Sequence, residues 1–273
     1  AIKNKMTELD GDVSYIGLPT SVIHSLNFDQ EVSRSAIGQP IGSFYAYKED
    51  GLFQSEAEIK SYTNNKGELL QPNAKPGDIK FVDVNGDGVI DGNDRDYIGN
   101  PLPDVTAGLT LGVNFHNFDL SLFFQGMFGN DVYDLTRYVG DFYNQSQYNK
   151  NSRVVNAWTP TNTNTDIPRV TMDDPNNNIR PSSYYVQDAS FVRLKNMKIG
   201  YSVPQSILSK IKFNSLYIYA QATNLFTITG YDGIDPEVGL QSYSSDYRNL
   251  DMGVDRGIYP LSRTFTFGVN VSF

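Results

Sequence analysis

Apolar and polar residues alternate with a period of two along LSRTFTFGVNVSF, the last stretch of the chain. Phe265, Phe267, Val269, Val271 and Phe273 form one row; Thr264, Thr266, Gly268, Asn270 and Ser272 form the other. That period belongs to a β-strand with one apolar and one polar face. VTAGLTLGVNF repeats it, with Val105, Ala107, Leu109, Leu111, Val113 and Phe115 in the apolar row. After His116-Asn117 comes FDLSLFFQGMF, whose apolar row is Phe118, Leu120, Leu122, Phe124 and Phe128. Two strands of about 11 residues joined by so short a turn predict a hairpin.

SFVRLKNMKIGYSV (190–203) and SLYIYAQATNLFTI (215–228) predict a second pair, with a single helical turn in PQSILSKIKFN between them. Met197, Ile199, Tyr201 and Val203 share one parity, whereas Val192 and Leu194 have the other. A bulge near Lys195-Asn196 reconciles them.

The predicted strands are therefore about 105–116, 117–129, 190–203, 215–229 and 260–273. Connections at one end are short; at the other, 130–189 and 230–259 are long. Structureless loops of that length are unusual in a compact domain. Short turns on one side and long loops on the other suit an outer-membrane β-barrel, and strands of about 10–14 residues suit a tilted bilayer crossing. A soluble β-sandwich alternates in the same way. Its solvent face, however, usually carries Lys and Glu, and here the polar rows carry Thr, Gly, Asn and Ser. Five strands do not close a membrane barrel, since the smallest have about eight. On the barrel reading, this chain is one part of a larger wall.

Composition narrows the function classes. The net charge of −9 argues against nucleic acid, which needs a basic footprint. With no cysteine there is no disulfide framework and no thiolate metal site. The first residues, AIKNKMTELDGD, do not read as a signal peptide. No apolar run reaches the roughly 18 residues of a membrane helix. The mean hydropathy of −0.39 has a soluble value, but strands of alternating polarity average out in the same way.

One motif carries metal chemistry. In DVNGDGVIDGND (83–94), the spacing of an EF-hand-type loop puts oxygen donors at Asp83, Asn85, Asp87, the Val89 carbonyl, Asp91 and Asp94, with Gly88 at the sharp turn. Position 12 is Asp94 instead of the usual bidentate Glu, and DIKF before the loop reads as a strand, not a helix. Two readings stay open: a calcium clip of weak affinity, or an Asx/Gly turn held by hydrogen bonds alone.

Six segments in this order resemble one family: IGQPIGSFYAYKEDGLFQSEAEI (37–59), PGDIKFVDVNGDGVIDGNDRDYIGNPLPDVTAGL (76–109), WTPTNTNTDIPR (158–169), DASFVRLKNMKIGYSVP (188–204), NLFTITGYDGIDPEV (224–238) and YPLSRTFTFGVNVSF (259–273). They are similar to the C-terminal part of SusC/RagA-type TonB-dependent outer-membrane transporters. The resemblance implies an all-β fold, with these strands the last of a transmembrane antiparallel barrel of about 22 around a plug. It also implies import of large nutrients, oligosaccharides or peptides, energised through TonB and served by a SusD-like surface lipoprotein as a lid. The plug, the TonB box and most strands are not in this sequence, so the chain alone is not expected to transport. Phe273 would be the terminal aromatic residue that assembly machinery reads. With that strand end at the periplasm, 130–189, 230–259 and the whole of 1–104, including the calcium-like loop, would be extracellular.

The remaining candidates have bland alternatives. Tyr133, Tyr138, Phe142, Tyr143, Tyr148 and Trp158 cluster in 130–189, where they would stack on cargo, touch the lid or pack on one another. Tyr243, Tyr247 and Tyr259 stand under the same choice. Tyr184, Tyr185, Phe191, Phe226 and Tyr231, near strand ends, suggest an aromatic girdle. Lys195 and Lys198, mid-strand, are expected to face the lumen, because a lipid-facing lysine at mid-depth costs roughly 2–4 kcal/mol. His24 and His116 are expected at the surface. Asp173-Asp174, Asp232, Asp235 and Glu237 could act as paired carboxylates for glycoside cleavage, but segments rich in Asn, Pro and Gly explain them as loop chemistry. No nucleophile elbow, P-loop or HExxH occurs, so no catalytic residue is assigned. The alternative function is a soluble, calcium-stabilised β-domain for surface adhesion or carbohydrate binding.

Overall fold

The computed structural model describes residues 5–17, 30–144, 149–211, 213–239 and 252–273. In chain order its elements are β1 (Tyr15–Gly17), β2 (Ser33–Ala36), β3 (Ser43–Tyr47), β4 (Glu49–Leu52), α1 (Glu56–Ser61), β5 (Ile79–Phe81), β6 (Arg95–Gly99), β7 (Val105–Phe115) and β8 (Phe118–Phe128). Then come β9 (Asp131–Asp134), α2 (Thr136–Gly140), β10 (Val186–Asp188), β11 (Phe191–Ser202), α3 (Gln205–Ile211), β12 (Ser215–Thr223), β13 (Thr227–Thr229), β14 (Val254–Asp255) and β15 (Thr264–Ser272).

The long strands form one antiparallel sheet in the order β15-β12-β11-β8-β7. β7 and β8 pair from Val105↔Phe128 to Phe115↔Phe118, with His116, in the left-handed region at φ 54°, in the two-residue turn. The register between β11 and β8 shifts between Leu194 and Asn196. That bulge returns Met197, Ile199 and Tyr201 to the side occupied by Val192 and Leu194: Leu194 lies opposite Phe124, and Met197 opposite Leu122. The apolar row then runs unbroken across all five strands, through Ile199↔Ala220 and Ala220↔Phe267. Much of it is exposed, Phe267 by 80%, Phe265 by 62% and Val269 by 58%, whereas Leu194 at the head end is buried. A β-sandwich would bury such a face against a second sheet, so the sandwich alternative does not describe this chain.

Two elements differ from the sequence expectation. The strand predicted over 215–229 is broken at Asn224, which adopts φ 51°; its continuation β13 keeps the pairing with β11, while the pairing with β15 ends at Thr223. The single turn predicted before it is the seven-residue helix α3.

The segments read as loops fold together. At the end of the sheet where β8 stops and β11 starts, short strands form a four-stranded sheet β1-β2-β3-β6, a pair β4-β5 and a three-stranded sheet β10-β9-β14. One core unites them: Phe44 and Phe81 from the first hundred residues, Tyr133, Trp158 and Tyr185 from 130–189, and Val254 from 230–259. Each large apolar side chain buried there contributes about 1.5–3 kcal/mol. Helix α1 is started by Ser55, whose side chain accepts from the Glu58 N–H, while the Glu58 carboxylate accepts from the Gln54 N–H. We call this body the head.

Candidate functional site

The polar face of the sheet is built for side chains to lie flat. Tyr217 and Tyr219 stack with ring centroids 5.8 Å apart. A Cβ at Gly200 would collide with Tyr217, and one at Gly268 with Tyr219, so these glycines admit the rings. The Tyr217 hydroxyl donates to Asp119 over 2.9 Å, and the Lys198 ammonium stands 5.0 and 4.9 Å from the two ring centroids. Lys198 thus lies on the polar face, opposite Ser121 and Gln221. Lys195, the bulge residue, pairs with Glu237 at 2.7 Å.

Arg193 joins the sheet to the head. Its buried guanidinium donates to Asp235 (2.5 Å), Glu237 (3.0 Å) and the Thr227 hydroxyl (2.7 Å). Asp235 also accepts from the N–H groups of Glu237 and Leu261. Burial works against its ionised form, but these hydrogen bonds and Arg193 hold its carboxyl below the usual range.

Within the head, the Arg137 guanidinium on α2 donates to the Tyr184 carbonyl (2.7 Å) and Asp232 (3.2 Å), with Asp134 at 3.5 Å. Arg153 pairs with Asp141 and Asp166, both at 3.2 Å, and the Tyr184 hydroxyl donates to Asp141 over 2.6 Å. Arg137 and Arg153 line a crevice of about 570 Å³ with Asp134, Asn151, Asp232 and Asp255. A second cleft of about 330 Å³ shares Arg137 and Asp232 and adds Glu49, Asp166, Gln187 and Asp188. Burial, reinforced by Asp166 and opposed by Arg137, pushes the Glu49 carboxyl up to about 7. The crevice is a polar surface of carboxylates, guanidinium groups and amides that can bind hydroxyl, amide or ammonium groups by hydrogen bonds.

The carboxylates suggested for glycoside cleavage are dispersed among other partners. Asp232 faces Arg137, Asp235 and Glu237 face Arg193, and Asp174 accepts from the Asn178 and Ile179 N–H groups within its own turn. The aromatic residues are also redistributed. Tyr133, Tyr138 and Trp158 are buried in the head core, where Tyr133 stacks on Tyr185 at 5.3 Å and Trp158 donates to Gln54 over 2.9 Å. Their rings pack on other head side chains, whereas Tyr143 is 37% exposed. Tyr184, Tyr185, Phe191 and Tyr231 are buried too, so of the expected girdle only Phe226 is exposed. His24, Tyr148, Tyr243 and Tyr247 lie outside the described residues.

The loop at 83–94 is a ladder of Asx turns. Asn85 accepts from the Asp87 N–H, Asp87 from the Val89 N–H, and Asp91 from the Asn93 N–H, each at 2.8–2.9 Å. Asp83 accepts from Gly86 and Gly88, and buried Asp94 from Val84 and Asp91. The donor set is all oxygen, the kind calcium takes. Among the described residues, however, no three His, Cys, Asp or Glu side chains stand close enough to hold an ion. An ion here would have to draw exposed Asp87 or Asp91 inward.

Sequence reasoning missed Arg137 and Glu49, whose partners Asp232 and Asp166 lie in distant segments, and Arg153, whose partners Asp141 and Asp166 stand 12 and 13 residues away at no regular period. Arg193 had one local signal, a charge in the polar row beside the parity break.

No protein-family model matches the chain. It is 37% identical over 272 residues to TonB-dependent receptor P3 of Formosa agariphila, covering 99% of this chain and 26% of that receptor. TonB-dependent receptor P26 of the same organism is 34% identical over 271 residues, with 99% and 26% covered. TonB-dependent receptor SusC of Bacteroides thetaiotaomicron is 27% identical over 275 residues, with 99% and 23% covered. Among solved structures, the RagAB peptide transporter superposes with a TM-score of 0.68 at 24% identity, covering 98% of this chain and 26% of that one. The RagAB peptide importer in its closed-closed state gives 0.67, also at 24%, with 98% and 26% covered. At that identity the structural likeness speaks for the fold: a five-stranded piece of a transporter barrel. The chain spans about a quarter of the length of the curated relatives it matches. Over nearly all of its residues the chain is similar to TonB-dependent receptors, SusC among them, and its partial barrel corresponds to about a quarter of such a receptor.

Proposed function

We propose that this chain is a wall segment and extracellular head of an outer-membrane importer of oligosaccharides or peptides, driven through TonB and closed by a SusD-like lipoprotein. The observation that carries this reading is the two-faced sheet: an apolar face without a charged residue, and a polar face carrying Lys198, Asp119 and Tyr217. A lipid-exposed exterior and a hydrated interior demand that division. The head sits at one end of the strands, where cargo would be met before entering the lumen. Its crevice around Arg137 binds by hydrogen bonds, and the protein makes and breaks no bond in its cargo. RagAB, which shares the fold, is a peptide importer, and that supports peptides as one cargo class. We further propose that the 83–94 loop takes calcium weakly, as a clip through Asp83, Asn85, Asp87, Val89, Asp91 and Asp94.

The test uses the intact receptor with spin labels on single cysteines at Val269 and Asn270. Val269 should be relaxed by oxygen dissolved in lipid, and Asn270 by a water-soluble nickel chelate. Water access at Val269 would exclude the membrane wall. Cargo uptake by cells carrying the whole receptor, lost when the lipoprotein partner is deleted, tests the import and the partnership.

A further inference from the structure

Asn85-Gly86 is the only Asn-Gly pair in the chain. It lies in the 83–94 loop, and both residues are exposed. An asparagine before a glycine is open to attack by its own backbone. The peptide nitrogen of the following residue reaches the side-chain carbonyl carbon, and a glycine there has no Cβ to obstruct the approach. Gly86 adds open space to that: it stands at φ 73°, and a Cβ built on it would meet nothing within 4 Å.

The loop holds both reacting groups in other bonds. The Gly86 N–H donates to the Asp83 carboxylate over 2.7 Å, and the same carboxylate takes the Gly88 N–H over 2.8 Å. The Gly86 nitrogen attacks only after losing its proton. A carboxylate that accepts from this N–H opposes the loss, because it stabilises the N–H and repels the anion that would form. The Asn85 side chain is engaged as well. Its oxygen accepts from the Asp87 N–H over 2.8 Å, and its amide nitrogen donates to the Asp87 carboxylate over 3.0 Å. From outside the loop, Asn64 donates to the Gly88 carbonyl over 3.1 Å and pins the turn.

We propose that Asn85 is a deamidation site and that Asp83 is the latch that keeps it closed. In the reaction the Gly86 nitrogen gives its proton to solvent base and bonds to the Asn85 side-chain carbon, and Nδ2 leaves as ammonia. Water then adds to one of the two carbonyls of the cyclic imide and breaks its bond to nitrogen, leaving aspartate or isoaspartate. Either product loses the Nδ2 donor that now meets Asp87 and adds a negative charge beside Asp83 and Asp87, so this rung of the Asx ladder is lost. The test incubates the intact receptor in mildly alkaline buffer with a chelator, so that calcium plays no part. The peptide containing Asn85 is followed by mass spectrometry for conversion of amide to acid. Folded wild type should deamidate about tenfold or more slowly than the same receptor unfolded in urea. Asp83→Ala should raise the rate in the folded receptor about tenfold, and Asp83→Asn, whose amide oxygen still accepts, should raise it less. Asp91→Ala removes a bond at the far end of the loop without touching the Gly86 N–H, and should leave the rate unchanged. A wild-type rate equal to that in urea, or no acceleration in Asp83→Ala, would overturn the latch. Equal acceleration by Asp91→Ala would overturn it too, by assigning the protection to loop order in general. None of these readouts depends on import or on the membrane wall.

Discussion

The sheet and the head use the same kinds of side chain in opposite ways. In the sheet, Phe265 and Phe267 point out of the protein and remain bare; in the head, Phe44 and Phe81 are fully buried. The sheet derives its order from backbone ladders 9 to 12 residues long, and the head from side chains gathered between strands of 2 to 5 residues. Apolar composition therefore does not locate a core. What matters is whether the other side of the residue meets protein or lipid.

The largest effect should come where the two regions join. Arg193→Ala leaves Asp235 buried without its guanidinium and should cost about 3–5 kcal/mol. In the intact receptor, segment 230–239 should then become sensitive to protease while the strands stay protected. Unchanged cleavage would show that the head does not depend on that clasp. Truncating phenylalanines tests the contrast itself. Phe44→Ala should cost about 3–5 kcal/mol, and Phe267→Ala less than about 1 kcal/mol. Equal shifts in melting temperature would erase the distinction between the regions.

A smaller effect should appear with pH, and only in the head. The Glu49 carboxyl is raised from its ordinary 4.5 to about 7 by burial and by Asp166, against Arg137. Folding thus makes it harder to ionise, so its stabilisation is full below about 4.5 and is lost as pH rises through about 7. Acidification from pH 8 to 5 should stabilise the head by about 2–3 kcal/mol at most. Glu49→Gln should flatten that dependence, and a slope that persists would assign it to another group. The smallest effect concerns the 83–94 loop. With a calcium affinity near 10⁻³ M, about 10 mM calcium should add about 1.4 kcal/mol, seen as slower proteolysis of the loop and abolished by Asp87→Asn. No change would leave the Asx ladder as its whole support.

The legible part of the fold was the part with a period. His116-Asn117 reads as a hairpin turn because apolar rows of fixed parity flank it, and the bulge beside Lys195 shows as a break in that parity. The crevice was illegible because no period links its partners: Arg137 meets Asp232 across 95 positions, Glu49 lies beside Asp166, and Arg153 pairs with Asp166 across 13 positions of irregular chain. Tyr133 and Tyr143, ten residues apart, look alike in sequence, yet one is sealed in the core and the other is exposed. The break at Asn224 also left no mark in the alternation, because Ile228 falls on the same parity as Ile218 and Ala222.

By itself the sequence determined the long strands, their two faces, the hairpin, the bulge and the oxygen-rich loop. All of these are set by neighbours within a few residues, through the two-residue repeat of an extended chain and the local hydrogen bonds of Asx turns. Only the tertiary structure decided that the loops form a single head, that Arg193 clasps it to the wall, and that most of the rim aromatics turn inward. Those outcomes depend on contacts across tens of residues or more, as when Gln71 donates to Asn176, 105 positions away, and no local pattern encodes which distant partner fills a given space.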